Sequence, residues 1–325
     1  MELDLIRRID SIEQPPVILT NNDIVDEYSD LFTGLACMPG QHHIVIDPTV
    51  WPVVQPPRRV PLAIQPKLKC TLDELVSRGV IVKHDEPTEW VNSLMIVQKK
   101  DTPLRLCLDP KHLNDAIQRE HYQIATIDDI LPKLAGKSVF TITVMKDGFW
   151  NIELDESWSK LCTFSTPFGR FSFKRLAFSI KSASEVFQKR TSQLFGDIPG
   201  VFVVFDDIIF AACDDDERDV ILCQLLDRAC HHNVRLNRNK LQLRVPQVLY
   251  LGHLLTKDGI KPDPEKASAI VAMSPPTDKK GVHRLVGMLK YLSKFLPNFS
   301  DQSKPLCDLL RDDVSFVSVR ASTNI

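Results

Sequence analysis

The spacing of apolar and polar positions changes along the chain and predicts several strands. Two short apolar runs, Ser93–Val97 and Leu104–Leu108, flank the charged turn Lys99-Lys100-Asp101, which predicts a hairpin with lysines at its tip. The β-prone run Ser138–Met145 ends at Lys146-Asp147-Gly148, a turn signal. These patterns predict strands that are separated by tight turns.

The segment VFVVFDDIIFAA, residues 201–212, carries two apolar β-prone runs on either side of Asp206 and Asp207. This pattern predicts a tight hairpin with two carboxylates at its bend. Adjacent carboxylates repel each other, and a divalent cation bound by oxygen ligands such as Mg²⁺ relieves that repulsion. An Asp-Asp pair alone is more often an ordinary solvated turn, so both interpretations stay open at this stage.

Helical spacing predicts the remaining elements. Thr71-Leu72-Asp73-Glu74 has the spacing of a capping box, and Gly79 is placed to end that helix. Asp214 to Glu217 precede an amphipathic helix. Two basic helical stretches follow at residues 278–296 and 301–311. Residues 1–66 contain 9 of the 22 prolines, which predicts an extended segment with little regular structure.

Composition limits the classes of protein that fit. Of the 325 residues, 43% are hydrophobic and 25% are charged, so the chain can bury a core and is neither disordered nor fibrous. The net charge of -2 conceals 15 Lys and Arg against 8 Asp and Glu in residues 231–320, which favours a polyanionic partner there. The cysteines are scattered, and the sequence shows no signal peptide and no apolar run long enough for a membrane span. These features predict a cytoplasmic or nuclear protein without a membrane partner.

Seven blocks follow one another along the chain: VQKKDTPLRLCLDPKHLN (97–114), KDGFWNIELDE (146–156), KLCTFSTPFGRFSFKRL (160–176), SASEVFQ (182–188), FDDIIF (205–210), YLGHLLTKDGIKPDPEKASAI (250–270) and FLPNFSDQSKPL (295–306). In this order, from Leu94 to about Asp313, they resemble the reverse transcriptase of gypsy-class LTR retrotransposon Pol polyproteins. The resemblance implies an α+β right-hand polymerase fold with fingers, a palm of antiparallel sheet plus helices, and a helical thumb. The domain boundaries predicted on this basis are a Pro-rich extension (1–66), interleaved fingers and palm (67–254), a thumb (255–313) and an unrelated tail (314–325).

The resemblance also implies a function and its residues. The chain would add nucleotides from dNTPs to a primer 3′ end on an RNA or DNA template, with Mg²⁺ bound by the catalytic residues Asp206 and Asp207. Lys99 (or Lys100) and Arg105 would bind the triphosphate, Asp147 and Gly148 would lie under the nucleotide, and Phe149 would exclude a 2′-hydroxyl. The other implied residues are Gln188 in the nucleotide site, Leu251, Gly252 and His253 at the primer end, and Lys279, Lys280 and Arg284 against the duplex backbone.

Three positions depart from the family pattern. Val144 stands where the family has the other direct metal ligand, Val204 replaces the tyrosine before the aspartates, and Ser179 replaces a glycine. A valine side chain cannot coordinate Mg²⁺, and Asp147, three residues later, lies on the opposite face of an extended strand and should not substitute. No protease, zinc-knuckle, RNase H or integrase pattern accompanies the blocks, which suggests a Pol fragment.

Three interpretations of function remain open from the sequence. The first is a reverse transcriptase domain whose activity is impaired or lost because Val144 removes a ligand. The second is an active polymerase that relies on Asp206 and Asp207 alone. The third is a non-catalytic nucleic-acid-binding remnant or retained cellular protein, which could also coexist with the first.

Overall fold

The computed structural model describes residues 21–98, 104–134 and 136–311. The chain divides into two compact units, with the division between Val245 and Pro246. The predicted boundary between palm and thumb at residue 255 lies within strand His253–Thr256, further along the chain than this division.

The first unit interleaves helices and strands. Its described helices are α1 (Asn21–Glu27), α2 (Gln65–Ser77), α3 (Lys111–Ala116), α4 (Ile127–Leu134), α5 (Glu156–Leu161), α6 (Ala183–Phe195) and α7 (Asp215–His231). Its described strands are β1 (Ile81–Lys83), β2 (Ser93–Val97), β3 (Arg105–Asp109), β4 (Val139–Val144), β5 (Thr163–Thr166), β6 (Gly169–Phe173), β7 (Val201–Val204), β8 (Asp207–Ala212) and β9 (Gln242–Val245). Four short 3-10 helices occur in the two units, at Ser29–Phe32, Gly148–Asn151, Arg238–Lys240 and Ser293–Phe295.

A four-stranded sheet in the order β7-β8-β4-β9 forms the centre of this unit. The predicted hairpin of residues 201–212 is confirmed, because β7 and β8 pair antiparallel and turn at Phe205 and Asp206. Strand β4 pairs antiparallel with β8. Val203, Ile208 and Phe210 are buried, and α6 and α7 pack against β7 and β8, so one face of the sheet forms the core.

Strands β2 and β3 form a second hairpin, as the sequence predicts, with Ser93 opposite Asp109 and Val97 opposite Arg105. The predicted tip residues Lys99, Lys100 and Asp101 lie outside the described residues. A third sheet has the order β1-β6-β5.

The capping-box prediction at Thr71 is wrong. Helix α2 begins at Gln65 with Pro66 in its first turn, a position where proline loses no helical hydrogen bond. Thr71 is therefore inside the helix, where its Oγ1 donates to the carbonyl of Lys67 at 3.0 Å. The predicted helix end is confirmed, since Gly79 follows the last turn with φ 69°.

The proline-rich segment contains little regular structure between residues 33 and 64, as predicted. Isolated bridges join His42 to Leu154 and Val54 to Val91, and the Arg190 guanidinium donates to the carbonyls of Pro39, Gly40 and Gln41. Helix α1 at residues 21–27 is an exception that the proline count did not predict. Backbone hydrogen bonds also attach the segment to the body, among them Met38 N–H to the Asn151 carbonyl and Gln55 N–H to the Val91 carbonyl, and Met38 and Ile44 are part of the core.

The second unit combines a small sheet with three helices. Strands β10 (Gln247–Tyr250), β11 (His253–Thr256) and β12 (Gly259–Pro262) form an antiparallel meander, and helices α8 (Pro264–Val271), α9 (Lys279–Leu292) and α10 (Phe299–Asp308) follow. The two predicted basic helical stretches thus appear as α9 and α10. No helix in the part of the chain that the structure describes is long and apolar enough to cross a membrane.

Candidate active site and nucleic-acid interface

The two aspartates lie at the turn between β7 and β8. Val204 and Asp207 are the last paired residues, with Phe205 and Asp206 between them. Phe205 has φ 55°, a left-handed conformation that costs a bulky residue free energy and is often found at functional sites.

Gln188 of α6 supports this turn from inside the protein. Its side chain is buried; Oε1 accepts from the Phe205 N–H at 2.8 Å and Nε2 donates to the Val203 carbonyl at 2.7 Å. Both ends of the amide are therefore used to fix the hairpin. The predicted site residue Gln188 supports the aspartates through the backbone.

Val144 lies directly opposite Asp207 in the ladder between β4 and β8. Side chains of directly paired residues point to the same face, with Cβ atoms about 5 Å apart. Val144 is 6% exposed, and its carbonyl accepts from the Asn237 N–H at 2.8 Å. The predicted proximity of Val144 and the aspartate pair is confirmed, and the side chain that faces Asp207 is apolar.

The electrostatics of the pair are unfavourable without a counter-charge. Burial raises the pKa of Asp207, the negative charge of Asp206 raises it further, and Lys240 opposes the rise. Within the described ranges, no group of three or more His, Cys, Asp or Glu side chains could bind a metal ion. The donor set, two neighbouring carboxylates from one turn and a valine opposite, does not fit a site for two Mg²⁺ ions, which takes carboxylates from separate strands.

Asp147, the next carboxylate along the chain after Val144, is engaged by an arginine. Its backbone is left-handed, with φ 62°, and its Oδ2 accepts from Arg78 Nη2 at 2.7 Å. Arg78 also stacks over the Trp150 ring, 5.6 Å from its centroid.

The backbone of the turn after Asp147 is supported by Asn151. Gly148 has φ 48°, and the buried Asn151 amide donates to the carbonyls of Lys146 and Gly148 at 2.7 and 2.6 Å. The turn is therefore held in a fixed shape.

Two aromatic rings pack against Phe149. Its ring centroid is 5.2 Å from that of Phe178 and 5.3 Å from that of Phe187. A Cβ at Gly148 would lie 3.8 Å from the Phe178 ring. Phe149 is thus fixed by neighbours on two sides.

Ser179 follows Phe178 with φ 79°, a conformation that glycine adopts at little cost and serine does not. Asn114 supports this segment, because its Nδ2 donates to the Ser179 carbonyl at 2.9 Å and its Oδ1 accepts from the Lys181 N–H at 2.8 Å. Ser179 therefore holds a left-handed backbone conformation that suits glycine better than serine.

The predicted triphosphate ligands are described only in part. Arg105 is exposed on β3, and Lys99 and Lys100 belong to the segment that the structure does not describe.

In the second unit, Leu251 and Gly252 form the turn between β10 and β11, with φ 46° and 77°. The Tyr291 hydroxyl donates to the Gly252 carbonyl and accepts from the Asp263 N–H at 3.1 Å. His253 is buried and its ring centroid is 5.7 Å from that of Tyr291. The turn predicted to bind the primer end is thus fixed by α9.

The three predicted basic residues of α9 differ in their surroundings. Lys280 and Arg284 are exposed and lie one turn apart on the same face. Lys279 donates to the Arg311 carbonyl at 2.6 Å, so its charge is directed towards the end of α10. The structure therefore separates Lys279 from the other two.

Sequence reasoning missed several residues that support the site. They are Arg78, Asn114, Asn151, Tyr291 and Lys266. Asn151 contacts Lys146 and Gly148, within five residues of it, and the contacts of the other four join segments far apart in the chain. Asn114, Asn151 and Lys266 lie within the quoted blocks, whereas Arg78 and Tyr291 lie outside them. For these two, no local pattern marks the partner.

Comparison with known proteins agrees with this geometry. Residues 97–255 match the family of reverse transcriptases (RNA-dependent DNA polymerases). The chain is 33% identical over 258 residues to the retrovirus-related Pol polyprotein from transposon opus of Drosophila melanogaster, covering 77% of this chain and 26% of the relative. It is 28% identical over 264 residues to that from transposon gypsy of the same species, covering 78% and 25%. The chain thus spans about a quarter of these relatives.

Solved structures give the same fold. The foamy viral protease-reverse transcriptase in complex with dsDNA superposes with a TM-score of 0.81 at 22% identity, covering 88% of this chain and 61% of that one. The same viral protein in complex with RNA/DNA hybrid gives a TM-score of 0.77 at 22% identity, covering 88% and 39%. Fold and hairpin together define a reverse transcriptase domain with the right-hand polymerase architecture. This chain belongs to the reverse transcriptase family of retrotransposon Pol polyproteins, whose members include gypsy.

Proposed function

We propose that the chain binds primer-template duplexes of RNA and DNA and that its nucleotidyl transfer is strongly impaired. The observation that carries this proposal is the pairing of Val144 with Asp207. The family uses Mg²⁺ to stabilise charge on the attacking and leaving oxygens, and the ions need carboxylates from both strands. Here only the turn after β7 supplies them.

The size of the defect follows from electrostatics. A valine where the family has a carboxylate ligand would remove roughly 4 kcal/mol of transition-state stabilisation. At about 1.4 kcal/mol per tenfold change, this corresponds to roughly three orders of magnitude in rate. The strain at Ser179 and the valine at position 204 lie in the same region and add to the defect.

The other residues retain roles that do not require the metal. Arg105 supplies a guanidinium fork suited to a triphosphate, together with Lys99. Phe149, fixed by Phe178 and Phe187, excludes a 2′-hydroxyl by its bulk. The turn at Leu251, Gly252 and His253 contacts the primer strand, and the exposed Lys280 and Arg284 contact duplex phosphates. Duplex binding is therefore expected to persist when extension is lost.

Two measurements test the proposal together. Primer extension with dNTPs and Mg²⁺ is compared between the unmodified chain, Val144→Asp and Val144→Asp/Asp206→Ala. Fluorescence anisotropy with the same duplex follows binding. We expect binding by all three and extension by Val144→Asp alone. Extension by the unmodified chain that Asp206→Ala abolishes would identify an active polymerase, and binding without extension by any variant would favour a purely nucleic-acid-binding role.

A further inference from the structure

Lys266 lies against the Leu251–Gly252 turn. A Cβ added to Gly252 would lie 2.7 Å from Lys266 Nζ, so the ammonium group occupies space that the glycine leaves open. Gly252 has φ 77°, which independently disfavours a side chain there. Two features of one position, the backbone conformation and the missing side chain, thus allow a lysine to approach the backbone of this turn.

Tyr291 fixes both the lysine and the turn. Lys266 Nζ lies 4.7 Å from the centroid of the Tyr291 ring, a cation–π distance, while the hydroxyl of the same residue donates to the Gly252 carbonyl. Among the described residues, Lys266 pairs with the carboxylate of Asp263, whose Oδ2 is 4.0 Å from Nζ. The other oxygen of Asp263 accepts from the Glu265 N–H at 3.0 Å. The charge is therefore only weakly compensated by its carboxylate neighbour.

The lysine is also accessible, since 51% of its side chain is exposed. A half-exposed ammonium with a weak ion pair can exchange water for a phosphate oxygen at little cost, because it gives up no strong partner. Phosphate contacts of this kind fix the position of a strand on the protein without reading its sequence.

We propose that Lys266 binds a backbone phosphate of the primer strand at the Leu251–Gly252 turn and that Tyr291 is the positioning residue that directs it there. This assignment rests on the proposed function, because the turn contacts the primer only if the chain binds primer-template duplex. The assignment adds one cation to the proposed duplex interface and places the primer phosphate that it binds at the Leu251–Gly252 turn.

The test combines one charge change in the protein with one in the duplex. Binding of a labelled primer-template is measured over a salt series for the unmodified chain, Lys266→Gln and Lys266→Arg. A set of duplexes carries a single neutral methylphosphonate at successive primer positions. Lys257→Gln is the matched control, because Lys257 is an exposed lysine in the β11–β12 turn, at the opposite end of the same meander.

We expect Lys266→Gln to reduce the slope of log K against log salt by about 0.9, the contribution of one duplex phosphate. Lys266→Arg and Lys257→Gln should retain the slope. One methylphosphonate position should weaken binding by the unmodified chain and have no further effect in Lys266→Gln, since both changes remove the same contact. Tyr291→Leu, which removes both the ring and the hydroxyl, should keep the slope but spread the methylphosphonate effect over neighbouring positions, because the charge remains and the ring that directs it is lost.

Two results would overturn the assignment, and they differ. Equal slopes for the unmodified chain and Lys266→Gln, with salt-dependent duplex binding by both, would reject Lys266 alone. Absence of salt-dependent duplex binding by the unmodified chain would reject the proposed function and this assignment with it.

Discussion

Val144 in β4 and Asp207 in β8 lie directly opposite each other. They form the last pair of the ladder between these two strands. One side chain is a buried hydrocarbon and the other a carboxylate whose pKa is raised by burial and by Asp206. The strands that carry the aspartate pair are therefore formed, while position 144 supplies no carboxylate to face it. This relationship leads to the first two predictions.

Val144→Asp should restore Mg²⁺-dependent primer extension by roughly three orders of magnitude. Without metal, the new carboxylate lies buried beside two others and should lower the melting temperature. Mg²⁺ should raise the melting temperature of Val144→Asp more than that of the unmodified chain. Val144→Asn, which has similar size and no charge, is the control. Equal Mg²⁺ effects on all three proteins would contradict the metal-ligand assignment of position 144.

Asp207→Asn should stabilise the fold at neutral pH. The pKa of Asp207 in the folded protein is raised above its usual value of 3.8. Between these two pKa values, the folded state therefore binds more protons than the unfolded state. The contribution of Asp207 to the free energy of unfolding is therefore largest below the unfolded pKa and falls as pH rises through the folded pKa. The advantage of Asp207→Asn should disappear as pH falls towards 3.8. Urea unfolding across this pH range measures it, and an advantage independent of pH would point to packing instead of charge.

Ser179→Gly should stabilise the fold by about 1 kcal/mol, because φ 79° is unfavourable for serine and accessible to glycine. The midpoint of urea unfolding measures the change. Ser192→Gly, inside α6, is the matched control and should destabilise, since glycine is unfavourable in a helix. Loss of stability in Ser179→Gly would indicate that the serine side chain makes compensating contacts.

Gln188→Met should destabilise the hairpin by about 1–3 kcal/mol, because the Phe205 N–H and the Val203 carbonyl lose their partner. Gln193→Met, an exposed position of the same helix, should change stability little. Hydrogen exchange at Phe205 locates the effect, and faster exchange there is expected in Gln188→Met alone. Unchanged protection at Phe205 would show that Gln188 does not fix the turn.

Replacing Lys280 and Arg284 together with alanine should reduce the salt slope of duplex binding by about 1.8, or 0.9 for each phosphate contact. Lys279→Ala should reduce it little, because Lys279 donates to the Arg311 carbonyl. Anisotropy titrations in a salt series measure both. If Lys279→Ala lowered the slope as much as Lys280→Ala alone, Lys279 would contact a phosphate as Lys280 does, and the distinction between them would be wrong.

Local sequence predicted the elements whose signals are contained in a few residues. The hairpin at 201–212 follows from β-prone runs around two aspartates, and α7 follows from Asp214, whose side chain caps it by accepting from the Glu217 N–H. The capping-box prediction failed at Thr71 because an acceptable cap signal also occurs inside helices, and the preceding Pro66 decided the start. Periodicity and turn chemistry are local properties. They therefore identify the presence of a helix or strand more reliably than the residues at which it begins and ends.

By itself the sequence determined the family, the order of the elements and the presence of a valine at position 144, because these depend on residue identities in a fixed order. Only the tertiary structure decided which side chains support the site. Arg78 meets Asp147, Gln188 meets Phe205, and Tyr291 meets Gly252. The physical reason is that these polar contacts form between segments that folding brings together, and many side chains elsewhere in the chain could satisfy the same donor or acceptor.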